Sequence, residues 1–593
     1  MQFYDKYTHY LRKNCIFAEN IGGAKSKCVP PIQYKLKNLT TFMKLNTLYE
    51  ILHNSVKNFS ERIAFSLWRG DNYTYKQVGE KVTEVQELLR SAGLKKGDKV
   101  VLLSSNMPNW GVCYFAITSG GYTVVPVLPD FTSADIERVI EHSEAKAMCV
   151  SDKLFTKISK DVASKLNIVI RTKNLSVLSQ SVKEEGEITV PQPEDLAAII
   201  YTSGTTSQPK GVMLTHYNLS SQMWLIDPLF LVREDDIFLS VLPMAHTYEC
   251  TLGLILAFHH GSQVVYLDKA PTVSVLLPAL KEVRPTIMLT VPLIIEKIFK
   301  GKVKKTFTSN GFMNALYKVG FIRRYFHRIA GKKLTKTFGG RVRFFGIGGS
   351  KLDAEVEQFL LDAKFIYDIG YGLTETAPLL AGAVDGMLRL GSTGPILKGI
   401  EYRLENVNPE TGIGELVVKS PSQMQGYYKN PEATAEVFTE DGFFRTGDLC
   451  CFDKDGWLYI KGRCKNMILG PNGENIYPED IENVLNSHVF ISESVVTESE
   501  GKLVALVHFD TEAIEAKYEE LKDALHKKKH DLALFKEDVM CDIKHWVNER
   551  VNRNSKISEV VEEEQEFEKT ATKKIRRFLY TKKVDENKNK KNK

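Results

Sequence analysis

The stretch Tyr201-Thr202-Ser203-Gly204-Thr205-Thr206-Ser207-Gln208-Pro209-Lys210-Gly211 decides how the rest of this chain is read. Leu196 to Ile200 before it is apolar and partly β-branched, and Val212 to Leu214 after it is apolar again, so the pattern predicts strand, loop, strand. The loop carries five Ser or Thr hydroxyls, two glycines and one lysine. Backbone N–H groups and hydroxyls in such a loop surround phosphate oxygens while the lysine supplies countercharge, which makes a triphosphate the expected guest. A Ser/Thr-rich turn without a ligand has a similar composition, so the loop needs support from elsewhere in the chain. It is not a Walker A loop, because Lys210 stands between Pro209 and Gly211 instead of following a glycine and preceding Ser or Thr. P-loop kinases and GTPases are thereby excluded.

At 593 residues the chain is too long for one core, and two or more domains are expected. Its 43% hydrophobic and 26% charged residues are ordinary for a soluble protein. The net charge of +6 is small for this length, and its basic ends suggest surface contacts, not a nucleic-acid-binding fold. Nine cysteines without a paired CxxC spacing read as reduced cytoplasmic thiols and not as a zinc site. Two uncharged stretches, Val100 to Pro129 and Cys250 to Leu267, are interrupted by Ser, Asn, Gly or His and read as buried core, not membrane spans. The first forty residues lack the apolar run of a secretory signal.

Residues 1–42 form a basic extension, and Met43 opens what looks like the folded protein, so translation from Met43 is one expectation. From Ala64 to Val150 strands alternate with helices: strands at Ala64–Leu67, Lys99–Leu103 and Thr123–Pro126, helices at Tyr75–Ala92, Trp110–Ser119 and Ser133–Ser143. That alternation argues for α/β layers on mainly parallel sheets. Residues 297–343 hold fourteen Lys or Arg and no acid, with Phe312, Leu316, Phe321, Ile322, Tyr325 and Phe326 at three- and four-residue spacing. A basic amphipathic helix touching an anionic membrane is one expectation, a solvated cationic face the other.

Three further segments carry chemistry. Phe344-Phe345-Gly346-Ile347-Gly348-Gly349-Ser350 is a strand running into a glycine turn that lets a flat ligand approach the backbone. In Tyr371-Gly372-Leu373-Thr374-Glu375-Thr376 a carboxylate between two threonines suits Mg2+ beside phosphate oxygens, and Tyr371 can stack on a base. In Gly442-Phe443-Phe444-Arg445-Thr446-Gly447-Asp448 the aspartate can accept hydrogen bonds from both ribose hydroxyls.

Taken in order, these segments resemble the AMP-forming adenylate-forming superfamily, closest to long-chain fatty acyl-CoA synthetases, from about Met43 to Arg577. The resemblance implies a large N-terminal domain of layered α/β subdomains over 43–462, a smaller mobile α+β C-terminal domain over 463–580, and a basic tail over 581–593. It implies ATP, CoA and a long-chain fatty acid as substrates, with Mg2+ at Glu375. Thr202, Ser203, Gly204, Thr205, Thr206 and Lys210 then hold the β- and γ-phosphates, Gly348 and Gly349 with Tyr371, Gly372 and Thr374 the adenine side, and Asp448 with Arg463 the ribose. His246, in Leu242-Pro243-Met244-Ala245-His246-Thr247-Tyr248-Glu249, matches the residue beside the substrate carboxylate. Lys465 matches the hinge, Gly470, Gly473 and Glu474 the loop that admits CoA, and Lys574 the catalytic lysine, although Lys573 stands where the family has glycine. The expected location is the cytoplasm or, peripherally, the inner face of the membrane. Two other readings stay open: loading of an acyl-carrier protein in place of CoA, and a catalytically silent lipid-binding scaffold.

Overall fold

The strands flanking the loop form a hairpin: Leu196–Thr202 pairs antiparallel with Lys210–Thr215, Thr202 opposite Lys210. They belong to an eight-stranded sheet whose order is Gly426–Tyr427, Lys210–Thr215, Leu196–Thr202, Thr123–Pro126, Lys99–Leu103, Ala147–Val150, Ile168–Arg171 and Val177–Gln180. Its middle is parallel and its edges are antiparallel. A second eight-stranded sheet has the order Leu379–Ala383, Asp368–Gly372, Phe344–Ile347, Ile287–Thr290, Ile237–Ser240, Gln263–Tyr266, Ile63–Leu67 and Asn72–Thr74, again with antiparallel pairs only at its ends.

The computed structural model describes residues 44–202, 210–308, 310–384, 386–469, 475–499, 501–525, 532–570 and 575–580. The extension 1–42, Ser203, Gly204, Thr205, Thr206, Gly470, Gly473, Glu474, Lys574 and the tail 581–593 lie outside the described residues.

The helix Pro108–Ser119 explains the uncharged stretch near residue 110. All twelve of its residues are buried, because one side meets the strand Ile63–Leu67 and another the strands Lys99–Leu103 and Thr123–Pro126 of the other sheet. A helix apolar on every face needs such a sandwich. Among the described residues no helix is long and apolar enough to cross a membrane. The helices at the surface instead bury one stripe each. Tyr75–Ser91, started by a capping box between Thr74 and Gln77, buries Tyr75, Val78, Val82, Val85 and Leu89 at helical spacing.

A four-stranded antiparallel sheet follows, built from Glu401–Glu405, Gly414–Lys419, Phe444–Phe452 and Leu458–Arg463. Beyond it a separate apolar cluster forms around Ile481, Leu485, Val507, Ile543 and Val547. Its sheet has the order Ile491–Ser499, Lys502–Phe509, Glu559–Glu562. The third strand pairs in parallel with the second; its four residues, Glu559-Val560-Val561-Glu562, are too short and too charged to signal a strand by themselves. Contacts link this cluster to the rest: Lys300 donates to the Asn486 carbonyl at 2.7 Å, and Lys351 pairs with Asp480 at 2.9 Å.

The single amphipathic helix expected within 297–343 is instead a series. Pro292–Ile298 runs through a π-helical turn, Phe299–Lys304, into Lys305–Thr308, followed by Gly311–Lys318 and Gly320–Thr337. The breaks fall where the sequence provides new starts. Asn310 caps the third helix by accepting from Met313 N–H at 2.8 Å, and Gly311 and Gly320 each open a helix.

Candidate active site

In doubly wound sheets ligands gather at the carboxyl ends of parallel strands. Phe344–Ile347 and Asp368–Gly372 are parallel neighbours, Gly346 opposite Asp368, so the Gly348–Gly349 turn and Tyr371 emerge at the same edge. Gly349 has a positive φ of 89°, and a Cβ on Gly348 would stand 3.2 Å from the ring of Tyr248, which lies against the turn. Gly372 is fixed by space: a Cβ there would sit 1.8 Å from the Pro378 carbonyl oxygen. Immediately after it, Thr374–Thr376 forms a 3-10 turn that presents Glu375.

Five of the residues expected at the site fall into one connected set. Tyr371 O–H donates to Asp448 Oδ2 at 2.6 Å, and Arg463 Nε contacts Asp448 Oδ1 at 2.7 Å. Asp448 and Arg463 face each other across adjacent strands, and the Asp448 side chain is only 4% exposed. On the other side, Tyr427 O–H donates to Glu375 Oε1 at 3.0 Å, and the Lys210 ammonium lies 4.8 Å from the centre of the Tyr427 ring. The two halves meet electrostatically at Arg463. Loss of water lowers its proton affinity, but the negative field of Asp448, with Glu375 and Glu479, more than offsets that and raises its pKa. Burial, with Asp448 adding to it, drives the Tyr371 phenol well above its usual range, so it stays a donor at neutral pH.

Thr202 sits opposite Lys210 at the mouth of the hairpin. His246, Gly348 and Gly349 form a second group held by Tyr248, whose N–H donates to His246 Nδ1 at 3.2 Å and whose ring lies on Gly348. Lys465 lies exposed in the 3-10 turn Cys464–Asn466, directly after the strand that carries Arg463. That turn is tied forward by Asn466, which donates to Glu479 Oε1 at 2.6 Å.

Sequence reasoning assigned no role in the site to three residues. Tyr427 bridges Lys210 and Glu375; its position in Gly426-Tyr427-Tyr428 gave no sign of the pairing of Gly426–Tyr427 with the hairpin strand. Gln222 is fully buried and holds the Glu375 turn, donating to the Thr376 and Leu379 carbonyls at 3.3 and 3.1 Å and accepting from Leu379 N–H at 3.1 Å. A lone amide in the apolar run Met223-Trp224-Leu225-Ile226 was the available signal. Glu249 opens a π-helical turn, Glu249–Ile255, one turn beyond His246, and is 3% exposed, its Oε2 without a hydrogen-bond partner among the described residues. Burial pushes its carboxyl up to about 8, against a hydrogen bond from Ser240.

The donor chemistry suits a magnesium ion: Tyr427 engages one oxygen of Glu375, and a carboxylate has a second to offer a hard cation that takes its remaining ligands from water and phosphate.

Comparison with known proteins fits this geometry. The profile of the AMP-binding enzyme family matches residues 52–428. Long chain acyl-CoA synthetase 1 of Arabidopsis thaliana is 30% identical over 514 residues, covering 76% of each chain. Fatty acyl-CoA synthetase B of Dictyostelium discoideum is 28% identical over 528 residues, 78% of this chain and 77% of that one. Among solved structures, ATP-bound MatB from Rhodopseudomonas palustris superposes with a TM-score of 0.71 at 22% identity, covering 91% of this chain and 99% of that one. The o-succinylbenzoate CoA synthetase of Bacillus subtilis with its acyl-adenylate gives 0.70 at 21%, covering 90% and 97%. At that identity the structural likeness establishes the fold, while the profile match over more than half of the sequence establishes the lineage: this chain belongs to the AMP-binding enzyme family.

Proposed function

We propose that the protein is an AMP-forming long-chain fatty acid–CoA ligase. The observation that carries this reading is the convergence of Lys210, Glu375, Tyr371, Asp448 and Arg463, from three sheets, on one connected site. The long-chain acyl-CoA synthetases among its relatives, similar over three quarters of the chain, support the substrate class.

A carboxylate does not form a thioester unaided, because its leaving group is poor. In the proposed first half-reaction the fatty carboxylate oxygen attacks the α-phosphorus of ATP, the bond to the β-phosphate oxygen breaks, and pyrophosphate departs. In the second, the CoA sulfur attacks the acyl carbon, AMP leaves, and the thiol proton passes to solvent. Meeting of two anions is the barrier, and positioned cations lower it. Lys210 supplies countercharge to the β- and γ-phosphates together with Thr202, Ser203, Gly204, Thr205 and Thr206. Magnesium held at Glu375 would offset the charge of the departing pyrophosphate. Asp448, its oxygens oriented by Tyr371 and Arg463, accepts the ribose hydroxyls. The Gly348–Gly349 turn, Gly372 and Thr374 line the base, and His246 lies by the fatty carboxylate. Lys574 bridges the α-phosphate and that carboxylate.

The same reading divides the chain at residue 463. A lobe of 43–462 holds the nucleotide; a lobe of 463–580 swings about Lys465, withdrawing Lys574 and bringing in Gly470, Gly473 and Glu474 to admit CoA. Contact of the 297–343 segment with an anionic membrane belongs to this proposal too, as the place where a long-chain acid is met.

The test is product analysis. Purified protein supplied with ATP, magnesium and fatty acids of increasing length should release AMP and pyrophosphate and, once CoA is added, acyl-CoA. Lys574→Ala should abolish acyl-adenylate formation. Release of ADP, or acyl transfer to a carrier protein with none to CoA, overturns the assignment.

A further inference from the structure

The helix Gly320–Thr337 has two faces of different character. Inward, His327, Gly331 and Leu334 are buried, and Gly331 lets the helix approach so closely that a Cβ would stand 2.4 Å from the Ala363 carbonyl oxygen. Outward, two parallel rows at four-residue spacing lie side by side. Phe321, Tyr325 and Ile329 are 69%, 63% and 48% exposed. Next to them, Arg324, Arg328, Lys332 and Lys336 are exposed, with Lys333 continuing the apolar row. Phe312, 73% exposed on the preceding helix, and Val319 at the junction extend the apolar surface. Among the described residues no salt bridge is formed by any of these five cations, and residues 297–343 contain no acid.

Large apolar side chains standing in water mark a surface that something covers. The chain's own ends are poor candidates on charge. Residues 1–41 carry seven Lys or Arg against two acids, and the tail 581–593 is also basic. A second copy of the same face would repel it as well. Cations beside rings would also fit single-stranded nucleic acid, but nucleic acid gives no role to the exposed aliphatic side chains of Val319 and Ile329 among them. A plane that is anionic at its surface and apolar just below it satisfies both rows at once: rings and Ile329 enter the headgroup boundary while guanidinium and ammonium groups stay level with the phosphates.

We infer that the outward face of Gly320–Thr337, with Phe312 and Val319, docks on the surface of an anionic lipid bilayer. This deepens the proposed function by naming which residues of 297–343 meet the membrane, and it rests on that reading only for the identity of the cargo.

The experiment is flotation of the full-length protein with vesicles of phosphatidylcholine, alone and mixed with phosphatidylglycerol, in the absence of ATP, fatty acid and CoA. Binding is therefore scored independently of catalysis. Wild type should float with the mixed vesicles, not with the neutral ones, and be released by salt. Arg324→Gln/Arg328→Gln/Lys332→Gln should weaken partitioning roughly fivefold per charge removed, about a hundredfold in all. Phe321→Ser/Tyr325→Ser/Ile329→Ser should lower binding to the same vesicles while leaving adenylation of a short, water-soluble fatty acid unchanged. If the apolar variant misfolds, the charge variant, which alters only exposed cations, still decides the matter. Equal flotation of wild type and charge variant, equal binding to neutral and mixed vesicles, or a variant that loses binding to an oligonucleotide but keeps it to vesicles overturns the inference.

Discussion

Replacing Asp448 with Asn tests the proposed nucleotide site at a buried carboxylate. The change keeps shape and one oxygen but removes the charge that Arg463 and Tyr371 orient from opposite sides at 2.7 and 2.6 Å. A hydrogen bond to a charged group contributes about 1.5–3 kcal/mol. Two ribose hydroxyls donating to a carboxylate would therefore supply about 3–6 kcal/mol, of which a neutral amide oxygen keeps about half. The expected loss is about 1.5–3 kcal/mol, or roughly ten- to 150-fold in KM for ATP. Pyrophosphate exchange measured with ATP, 2′-deoxy-ATP and 3′-deoxy-ATP separates this from general damage. In wild type, removing either hydroxyl should raise KM about tenfold or more. In the variant each removal should cost about half that free energy, roughly three- to twelvefold in KM, because the amide oxygen keeps about half of each bond. Thermal melts check that the fold persists. If the deoxy penalties are the same in both proteins, Asp448 does not hold the ribose, whatever the change in absolute KM.

Three other outcomes follow from packing and charge. Gly331→Ala should gain about 1 kcal/mol in helix propensity, yet its Cβ would meet the Ala363 carbonyl oxygen at 2.4 Å; the contact wins, and a melt should show net destabilisation of about 1–3 kcal/mol. Glu249, its carboxyl held up to about 8 by burial, keeps a proton in the folded state that the unfolded chain releases at ordinary carboxylate pKa. Stability therefore falls as pH rises from the usual carboxylate range towards 8, by up to about 1.4 kcal/mol per pH unit. Glu249→Gln should flatten that dependence in parallel melts, and parallel curves for both proteins would contradict the buried neutral carboxyl. Gln222→Leu strands the Leu379 amide and two carbonyls around the Glu375 turn, at about 1–3 kcal/mol for each unsatisfied group. It should raise the magnesium concentration needed for half-maximal pyrophosphate exchange, and an unchanged magnesium requirement would contradict a positioning role.

What could be read from sequence was local. Runs of Val, Ile and Leu bounded by turn residues placed the hairpin strands, and the periodic stripe of Val78, Val82, Val85 and Leu89 placed a helix, because each signal lies within a few residues of the chain. Motif spelling carried the resemblance and with it the family. What escaped depends on distant parts of the chain meeting. Tyr371 reaches Asp448 across 77 positions, and Gln222 reaches Leu379 across 157; no window contains both partners. The protonated state expected of Glu249 follows from three-dimensional burial, not from its neighbours in sequence. In 297–343 the cationic, aromatic pattern was visible but its two breaks were not, since Asn310 and Gly320 act as helix starts only once the segments find separate places to pack.

The hairpin has a consequence for how a triphosphate can be captured. The strands on either side of the loop, Leu196–Thr202 and Lys210–Thr215, run antiparallel, where a nucleotide-binding loop of the Walker or Rossmann kind runs straight into a helix. Here the next helix, His216–Ile226, starts only after the six-residue strand Lys210–Thr215, roughly 20 Å along the chain. No macrodipole then stands ready behind the loop. On the proposed reading, attraction is assembled from charges borne on three different sheets, Lys210, Glu375 and Arg463 among them, so the grip on the nucleotide depends on how those sheets pack against one another.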